Sequence, residues 1–277
     1  MKIRFCGTGA AEGFPAVFCS CEYCEAIRGK AEEYRTRSQI IIDDCLSVDF
    51  PPEAYSNSLK YGYNLGELKY ILVTHSHMDH FYAHDFILRG YKYARVSQPK
   101  LQIYGNAEVA AVYNECTRRE LKPQIASDIS VRTVAPYQRL QIGDYTVLTL
   151  PAQHSQTEQC LLYYIERNGK GYLHLYDTGN LDAATFEFLA KNNVKAQVVA
   201  IDCTFADNSA GLQARHMGVE DDMIIRRRLE DCGTVDKNTK FVITHFSHNG
   251  NPTRARLAAL EKKYSVIAAY DGMLLEI

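Results

Sequence analysis

The chain has 277 residues, of which 46% are hydrophobic and 23% charged, a balance that excludes a disordered, collagenous or low-complexity polypeptide. Its 31 basic and 33 acidic side chains leave a net charge of −2, too even for a protein that holds nucleic acid by neutralising phosphates, so nucleic acid is disfavoured as a partner. The unusual feature is nine Cys beside nine His in a chain without Trp.

The opening MKIRFCGTGAAEGF lacks the apolar stretch of a secretory leader, and no window approaches the roughly 18 uninterrupted apolar residues of a membrane span. The expectation is a cytoplasmic protein with no membrane partner. Thiols stay reduced there, so clustered Cys read as metal ligands rather than disulfides. No Pro/Ser linker, charge block or repeat interrupts the chain, which predicts a single domain over 1–277. Short β-rich runs come first: KIRFC, SQIIID, CLSVDF and KYILVTH, with further strands near 101–104, 129–134 and 145–150. LLYYIE and GYLHLYD flank Asn168-Gly169, a two-residue hairpin signal. A helix near 181–191, the strand AQVVAID, a helix near 219–230, the strand KFVIT, a helix from Pro252 and final strands at SVIAAY and MLLEI complete the pattern. This predicts layered α/β structure, sheet inside and helices outside. Four apolar runs deliver His75, Asp177, Asp202 and His245 at their C-terminal ends, the usual place for a site built on a rigid sheet.

The strongest signal is THSHMDH, residues 74–80, which packs His75, His77, Asp79 and His80 together. His at i and i+2 of an extended strand end share a side. The Asp79-His80 pair is expected to open a helix and point back to the same place. Imidazole and carboxylate suit Zn²⁺, Mn²⁺ or Fe. Upstream, CSCEYC offers Cys19, Cys21 and Cys24, three thiols that want a fourth ligand for tetrahedral zinc. Downstream, Asp177 and His245 are further candidates, although Asp177 alone could cap a following helix, and a single His such as His154 reads by itself as a satisfied polar group. Asp49 and Asp202 are candidate acceptors for the far ring nitrogens of ligating His. His216 reads equally as a surface residue at a helix start and as a functional one. His84 and His174 read as packing or solvent residues. The glycine loop at 7–9 has no nucleotide fingerprint, and tight backbone packing accounts for it.

THSHMDH matches letter for letter the HxHxDH motif of the metallo-β-lactamase superfamily, which the chain resembles over nearly its whole length. The resemblance implies an α/β fold, the four-layer αββα sandwich. It implies two catalytic divalent metal ions, Mn or Zn with Fe as a further option: His75, His77 and His154 on one, Asp79, His80 and His245 on the other, and Asp177 bridging them. GTGAAEGFPAVFCSCEYC together with THFSH is similar to the branch containing the phosphoribosyl cyclic phosphate phosphodiesterases. That likeness implies one structural Zn on Cys19, Cys21, Cys24 and His248. The implied activity is a metal-dependent phosphodiesterase acting on a small, cyclic phosphodiester, with a hydroxide bridging two metal ions as nucleophile. Asp79 would orient it and His216 would protonate the leaving alkoxide. A homodimer is the family-level expectation. The alternatives are a tRNA 3′-end-type nuclease, whose basic arm is not seen, and a non-catalytic accessory protein resembling the pyrroloquinoline quinone B type, which shares the Cys motif but generally departs from HxHxDH.

Overall fold

The computed structural model describes residues 1–98, 100–209, 211 and 214–277. Strands β1 (Lys2–Gly7), β2 (Gln39–Ile42), β3 (Leu46–Val48), β4 (Tyr70–Leu72), β5 (Leu101–Gly105) and β6 (Ile129–Thr133) belong to one sheet. A second sheet contains β7 (Arg139–Ile142), β8 (Tyr145–Pro151), β9 (Leu161–Arg167), β10 (Lys170–Leu175), β11 (Val198–Asp202), β12 (Lys240–Thr244) and β13 (Ile267–Ala268). The last strand, β14 (Met273–Glu276), returns to the first sheet, giving the orders β14-β1-β2-β3-β4-β5-β6 and β13-β12-β11-β10-β9-β8-β7.

Strand periodicity builds the layers. Successive side chains point to opposite faces, and here both faces are apolar. In β11, Val198 and Ala200 enter the core between the sheets, while Val199 and Ile201 enter the outer core. In β9, Leu161, Tyr163 and Ile165 face inward and Leu162 and Tyr164 outward. The inner core joins Ile3, Phe5, Ile40 and Leu72 of one sheet to Val147, Tyr163, Tyr172 and Val242 of the other.

Helices α1 (Glu22–Ile27), α2 (Ala54–Tyr61), α3 (Ala107–Thr117), α4 (Pro123–Ala126), α5 (Ala183–Lys191), α6 (Val219–Asp231) and α7 (Arg254–Tyr264) surround the sheets. Ala54 of α2 and Val109 and Tyr113 of α3 cover the first sheet, and Phe186, Ile225, Leu229 and Leu257 of α5, α6 and α7 cover the second. The result is the expected αββα sandwich. Among the described residues, no helix is long and apolar enough to cross a membrane.

Several boundaries differ from expectation for local reasons. Helix α5 starts at Ala183 because the Asp182 carboxylate accepts from Thr185 N (2.8 Å) as an N-cap. Asp177 lies upstream of that cap and is free for another role. Helix α7 begins at Arg254, two residues beyond Pro252. Strand β7 and helices α1 to α4 were not placed from sequence. Strand β7 is a four-residue edge strand, and α2 buries the polar Asn57 and Ser58 beside Ala54, so each gives only a short or mixed apolar signal.

Two parallel runs position the site. β3, β4 and β5 are parallel in the first sheet, and β10, β11 and β12 in the second. Their C-terminal ends carry Asp49, His75, Asp177, Asp202 and His245. The sheets are stitched there by Leu161 N donating to Thr74 O (2.8 Å) and the Tyr163 hydroxyl donating to Val73 O (2.7 Å). The N-terminal loop adds a third strap. Phe246 N donates to Thr8 O (3.0 Å) and Ala10 N to Phe246 O (3.0 Å). A Cβ at Gly7 would sit 1.9 Å from the Arg37 carbonyl oxygen, so this close passage requires glycine.

Arg35 is buried beneath the strap. It donates to Thr8 Oγ1 (2.8 Å), Ala269 O (2.7 Å) and Pro252 O (3.2 Å), and stacks over the Phe246 ring at 4.6 Å. Burial pushes it down to about 10, still protonated at neutral pH. Phe246 follows His245 directly, so this network fixes the backbone that presents that imidazole.

The inner core carries the stability. Ile165→Ala, at a fully buried position between the sheets, is expected to lose about 2–5 kcal/mol in urea unfolding. Leu274→Ala, at a residue 42% exposed, should stay within about 0.5 kcal/mol of wild type.

Candidate metal centre

The THSHMDH segment leaves β4 and turns back on itself. His80 N and Phe81 N both donate to His77 O (3.0 and 2.8 Å). No helix opens at Asp79-His80, contrary to expectation. Phe50 N donates to His80 O (2.8 Å) and Tyr82 N to Phe50 O (2.7 Å), so strand-like pairing takes the groups a helix would use. A short 3₁₀ turn follows at Ala83–Leu88.

Three groups of side chains converge. The ligand atoms of His75, His77, His154 and Asp177 lie within 4.8 Å of one another, as do those of Asp79, His80, Asp177 and His245, and those of Asp177, Asp202, His216 and His245. Asp177 is common to all three. Its Oδ2 is 3.1 Å from His75 Nε2 and 3.0 Å from His80 Nε2. Its Oδ1 is 3.2 Å from both His154 Nδ1 and His216 Nδ1 and 3.8 Å from His245 Nε2. His77 Nδ1 sits 3.0 Å from His75 Nε2 and 3.3 Å from His154 Nε2.

Several of the contacts to Asp177 are not hydrogen bonds. His80 Nε2, His154 Nδ1, His245 Nε2 and Asp177 Oδ1 are buried without a hydrogen-bond partner. Orphaned buried polar atoms are costly. Two donors on one cation at about 2.1 Å, at right angles or tetrahedral, stand about 3.0–3.4 Å apart, which is the spacing found here. The donor set therefore fits divalent cations. His77 is exposed and His154 half-buried, so the first group is the open side of the cluster.

The strand ends are bent to achieve this. Asp49, Asp177 and His245 all have left-handed backbone, at φ 62°, 58° and 61°. Such conformations cost of order 1–3 kcal/mol each and gather at functional sites. Asp177 is held by its own N–H, which donates to Asp202 Oδ2 (2.9 Å).

Asp49 and Asp202 stand behind the imidazoles. Asp49 Oδ2 is 2.7 Å from His80 Nδ1, and its Oδ1 accepts from Thr74 N (2.8 Å). This leaves His80 Nε2 to face the cluster. Asp202 Oδ2 is 3.4 Å from Nδ1 of both His245 and His216, and its Oδ1 accepts from Met217 N (2.9 Å). Burial would raise the Asp202 carboxyl, but His216 and His245 hold it well below the usual carboxylate range. Burial likewise works against ionised Asp177, and the surrounding imidazoles, His245 foremost, outweigh it. Burial lowers His154 to about 4, leaving a neutral imidazole with a lone pair to give. For His216, burial opposes the charged form, but Asp202 and then Asp177 raise it to about 9.

His216 is half-buried in the loop before α6, stacked on His245 with ring centroids 5.7 Å apart. A Cβ at Gly179 would lie 1.8 Å from Ala214 O, so glycine in the DTGN turn lets that loop close onto the cluster. His84 is exposed. His174 is buried, with Nδ1 3.1 Å from the Tyr172 hydroxyl. Two carboxylates were missed by the sequence reading. Glu158 accepts from Ser76 N (3.0 Å), and Glu12 accepts from Ser247 Oγ (2.6 Å) and His248 N (3.3 Å). Glu12 lies within the GTGAAEGFPAVFCSCEYC stretch and Glu158 outside any motif, and both bind backbone N–H groups together with small polar side chains. Burial works against ionised Glu158, but Asn106 and Ser76 outweigh it and lower its pKa.

A second cluster stands apart. His248 Nδ1 is 3.7, 3.7 and 3.6 Å from the sulfurs of Cys19, Cys21 and Cys24. Tetrahedral zinc, with Zn–S of about 2.3 Å and Zn–N of about 2.0–2.1 Å, separates S and N by about 3.6 Å. Backbone N–H groups of Ala16 and Cys21 point at Cys24 and Cys19 sulfurs (3.3 and 3.4 Å). Hydrogen bonding at Cys24 and from His248 lowers Cys21 to about 6, favouring thiolate.

The sequence profile of the Beta-lactamase superfamily domain matches residues 40–246, three quarters of the chain. The chain belongs to that superfamily. Zinc-bound PqqB from Methylobacterium extorquens superposes over 100% of both chains with a TM-score of 0.72 at 17% identity. A diphosphatase of the PhnP family superposes over 100% of this chain and 98% of its own at 0.71 and 18%. The short form of human tRNase Z superposes over 100% and 99% at 0.70 and 16%. No curated protein matches the sequence. At these identities the structures share the metallo-β-lactamase fold, which implies divalent metal use. The Cys cluster and His248 lie outside the superfamily match.

The Asp49 contact gives a direct test. Asp49→Asn should weaken divalent-metal binding by about 10–100-fold while the fold is kept, as read by competition with a chelating dye and by circular dichroism.

Proposed function

We propose that the chain is a cytoplasmic, single-domain metal-dependent phosphodiesterase acting on a small, cyclic phosphodiester. The observation that carries this reading is the position of Asp177, whose two carboxylate oxygens face both His-rich groups. His75, His77 and His154 would hold one divalent ion and Asp79, His80 and His245 a second, with Asp177 shared. Two such ions supply Lewis-acid activation of water and stabilise charge developing on a phosphoryl group. Cys19, Cys21, Cys24 and His248 would hold a structural zinc.

The chain's own residues supply the rest. Asp79 is buried, with Oδ2 3.1 Å from His80 Nε2, and its other oxygen orients the attacking water. His216 has Nδ1 turned to Asp177 and Asp202, which leaves Nε2 as the ring's remaining proton donor. Asp202, through Nδ1, favours the protonated ring, which delivers its proton to the departing alkoxide. Asp202 holds the ring in that orientation through Nδ1.

Metal analysis and a panel of cyclic and linear phosphodiesters assayed with Mn²⁺ and with Zn²⁺ test the proposal. Three metal ions per chain are expected, two of them removed by mild chelation together with hydrolysis of bis-p-nitrophenyl phosphate. One tightly held zinc and no turnover on any ester would overturn it in favour of an accessory protein. His216→Ala should slow a poor-leaving-group ester by about 10²–10⁴-fold and leave a nitrophenyl ester nearly untouched. Equal effects on both would remove the proton-donor role.

A further inference from the structure

The first ligand group draws on both sheets. His75 and His77 follow β4 in one, and His154 follows β8 in the other. Something must hold the two loops at ligand distance, and the geometry singles out a carboxylate. Glu158, four residues after His154, spans the gap. Its Oε2 accepts from Ser76 N (3.0 Å) and its Oε1 from Ser76 Oγ (2.8 Å). Ser76 is the residue between His75 and His77, so this clamp grips the HxH backbone itself. Glu158 Oε2 also accepts from Asn106 Nδ2 (2.7 Å). The same amide donates to Gln159 O (2.9 Å), and Asn106 Oδ1 accepts from Val109 N (3.0 Å) as the N-cap of α3. One carboxylate thus ties the motif loop, the His154 loop and a helix start together.

Among the described residues, Asp79, His80 and His245 make no hydrogen bond to Glu158, Ser76 or Asn106. His80 is braced by Asp49 and His245 by Asp202 and Thr204. Glu158 therefore acts on the His75/His77/His154 group, whereas Asp49 reaches His80 directly and His75 through Thr74, whose Oγ1 is 3.0 Å from His75 Nδ1.

We propose that Glu158 is a positioning residue that sets the distance from His154 to the His75/His77 pair and so tunes cation binding at that group alone. The proposal rests on the reading of the cluster as two cation sites. Charge-assisted hydrogen bonds to a carboxylate are about twice as strong as neutral ones. Removing the charge therefore loosens the loops without touching a ligand.

Zn²⁺ titration calorimetry on the metal-stripped full chain tests it, with wild type, Glu158→Gln, Asp49→Asn and the double variant compared. Wild type should show two binding steps at the cluster. Glu158→Gln should weaken one step by about 10–100-fold and spare the other, and Asp49→Asn should weaken at least the step that Glu158→Gln spares. The double variant should weaken both. Phosphodiester turnover by Glu158→Gln should recover at saturating metal. Equal weakening of both steps, or no change in either, overturns the proposal. Where Glu158→Gln fails to fold, Ser76→Ala keeps the backbone contact and loses one hydrogen bond. It should shift the same step in the same direction, and no shift overturns the proposal. A folded wild type that takes up no ion at the cluster would instead overturn the underlying reading, and the proposal with it.

Discussion

Everything in this molecule is arranged around one buried carboxylate in contact with imidazoles that cannot satisfy it. Asp177 is buried, left-handed and within 3.0–3.8 Å of nitrogens from five different His residues. Hydrogen bonding does not resolve that crowding, because several of the atoms remain orphaned. A shared positive charge does, and the spacing of the donors is the spacing of ligands around a cation. The cluster is costly to fold and cheap to load, which is the expected character of a preorganised metal site.

That cost is met by rigidity around it. Parallel strand ends in two facing sheets provide the platform, and the sheets are joined at the platform by the bonds from Leu161 and Tyr163. Buried carboxylates brace three of the imidazoles. Asp49 fixes His80, Asp202 fixes His245 and His216, and the Arg35–Thr8–Phe246 contacts fix the backbone beside His245. Glycines at 7 and 179 stand where two backbones pass too closely for any Cβ. The Cys cluster anchors the segment after the N-terminal strap to His248, three residues from His245, so stabilising one site steadies the other.

Much of the site was legible in the sequence because the chemistry is dense and local. His75, His77, Asp79 and His80 lie within six residues, and the Cys cluster within another six. Asp177 and His245 could be named by their positions after apolar runs, and His154 by the family resemblance. Strand positions were legible for the same reason: alternating or continuous apolar runs such as AQVVAID and KFVIT have one sensible fate. Strand β7 and helix α2 escaped because their burial is slight and their side chains are mixed. Glu12 and Glu158 escaped because their partners are backbone N–H groups and small polar side chains distant in sequence, which leave no local pattern.

The sequence by itself determined the donor chemistry, the order of the ligands along the chain and the class of fold, since residue type and periodicity are local properties. Tertiary structure alone decided which donors share a centre, that Asp177 belongs to every group, and that Asp79-His80 sits in a turn rather than a helix. It also decided that His216 comes from its loop onto Asp202. Those outcomes depend on through-space distances between segments as far apart as His75 and His245. Distances of that kind are set by how two sheets pack, not by any stretch of residues read alone.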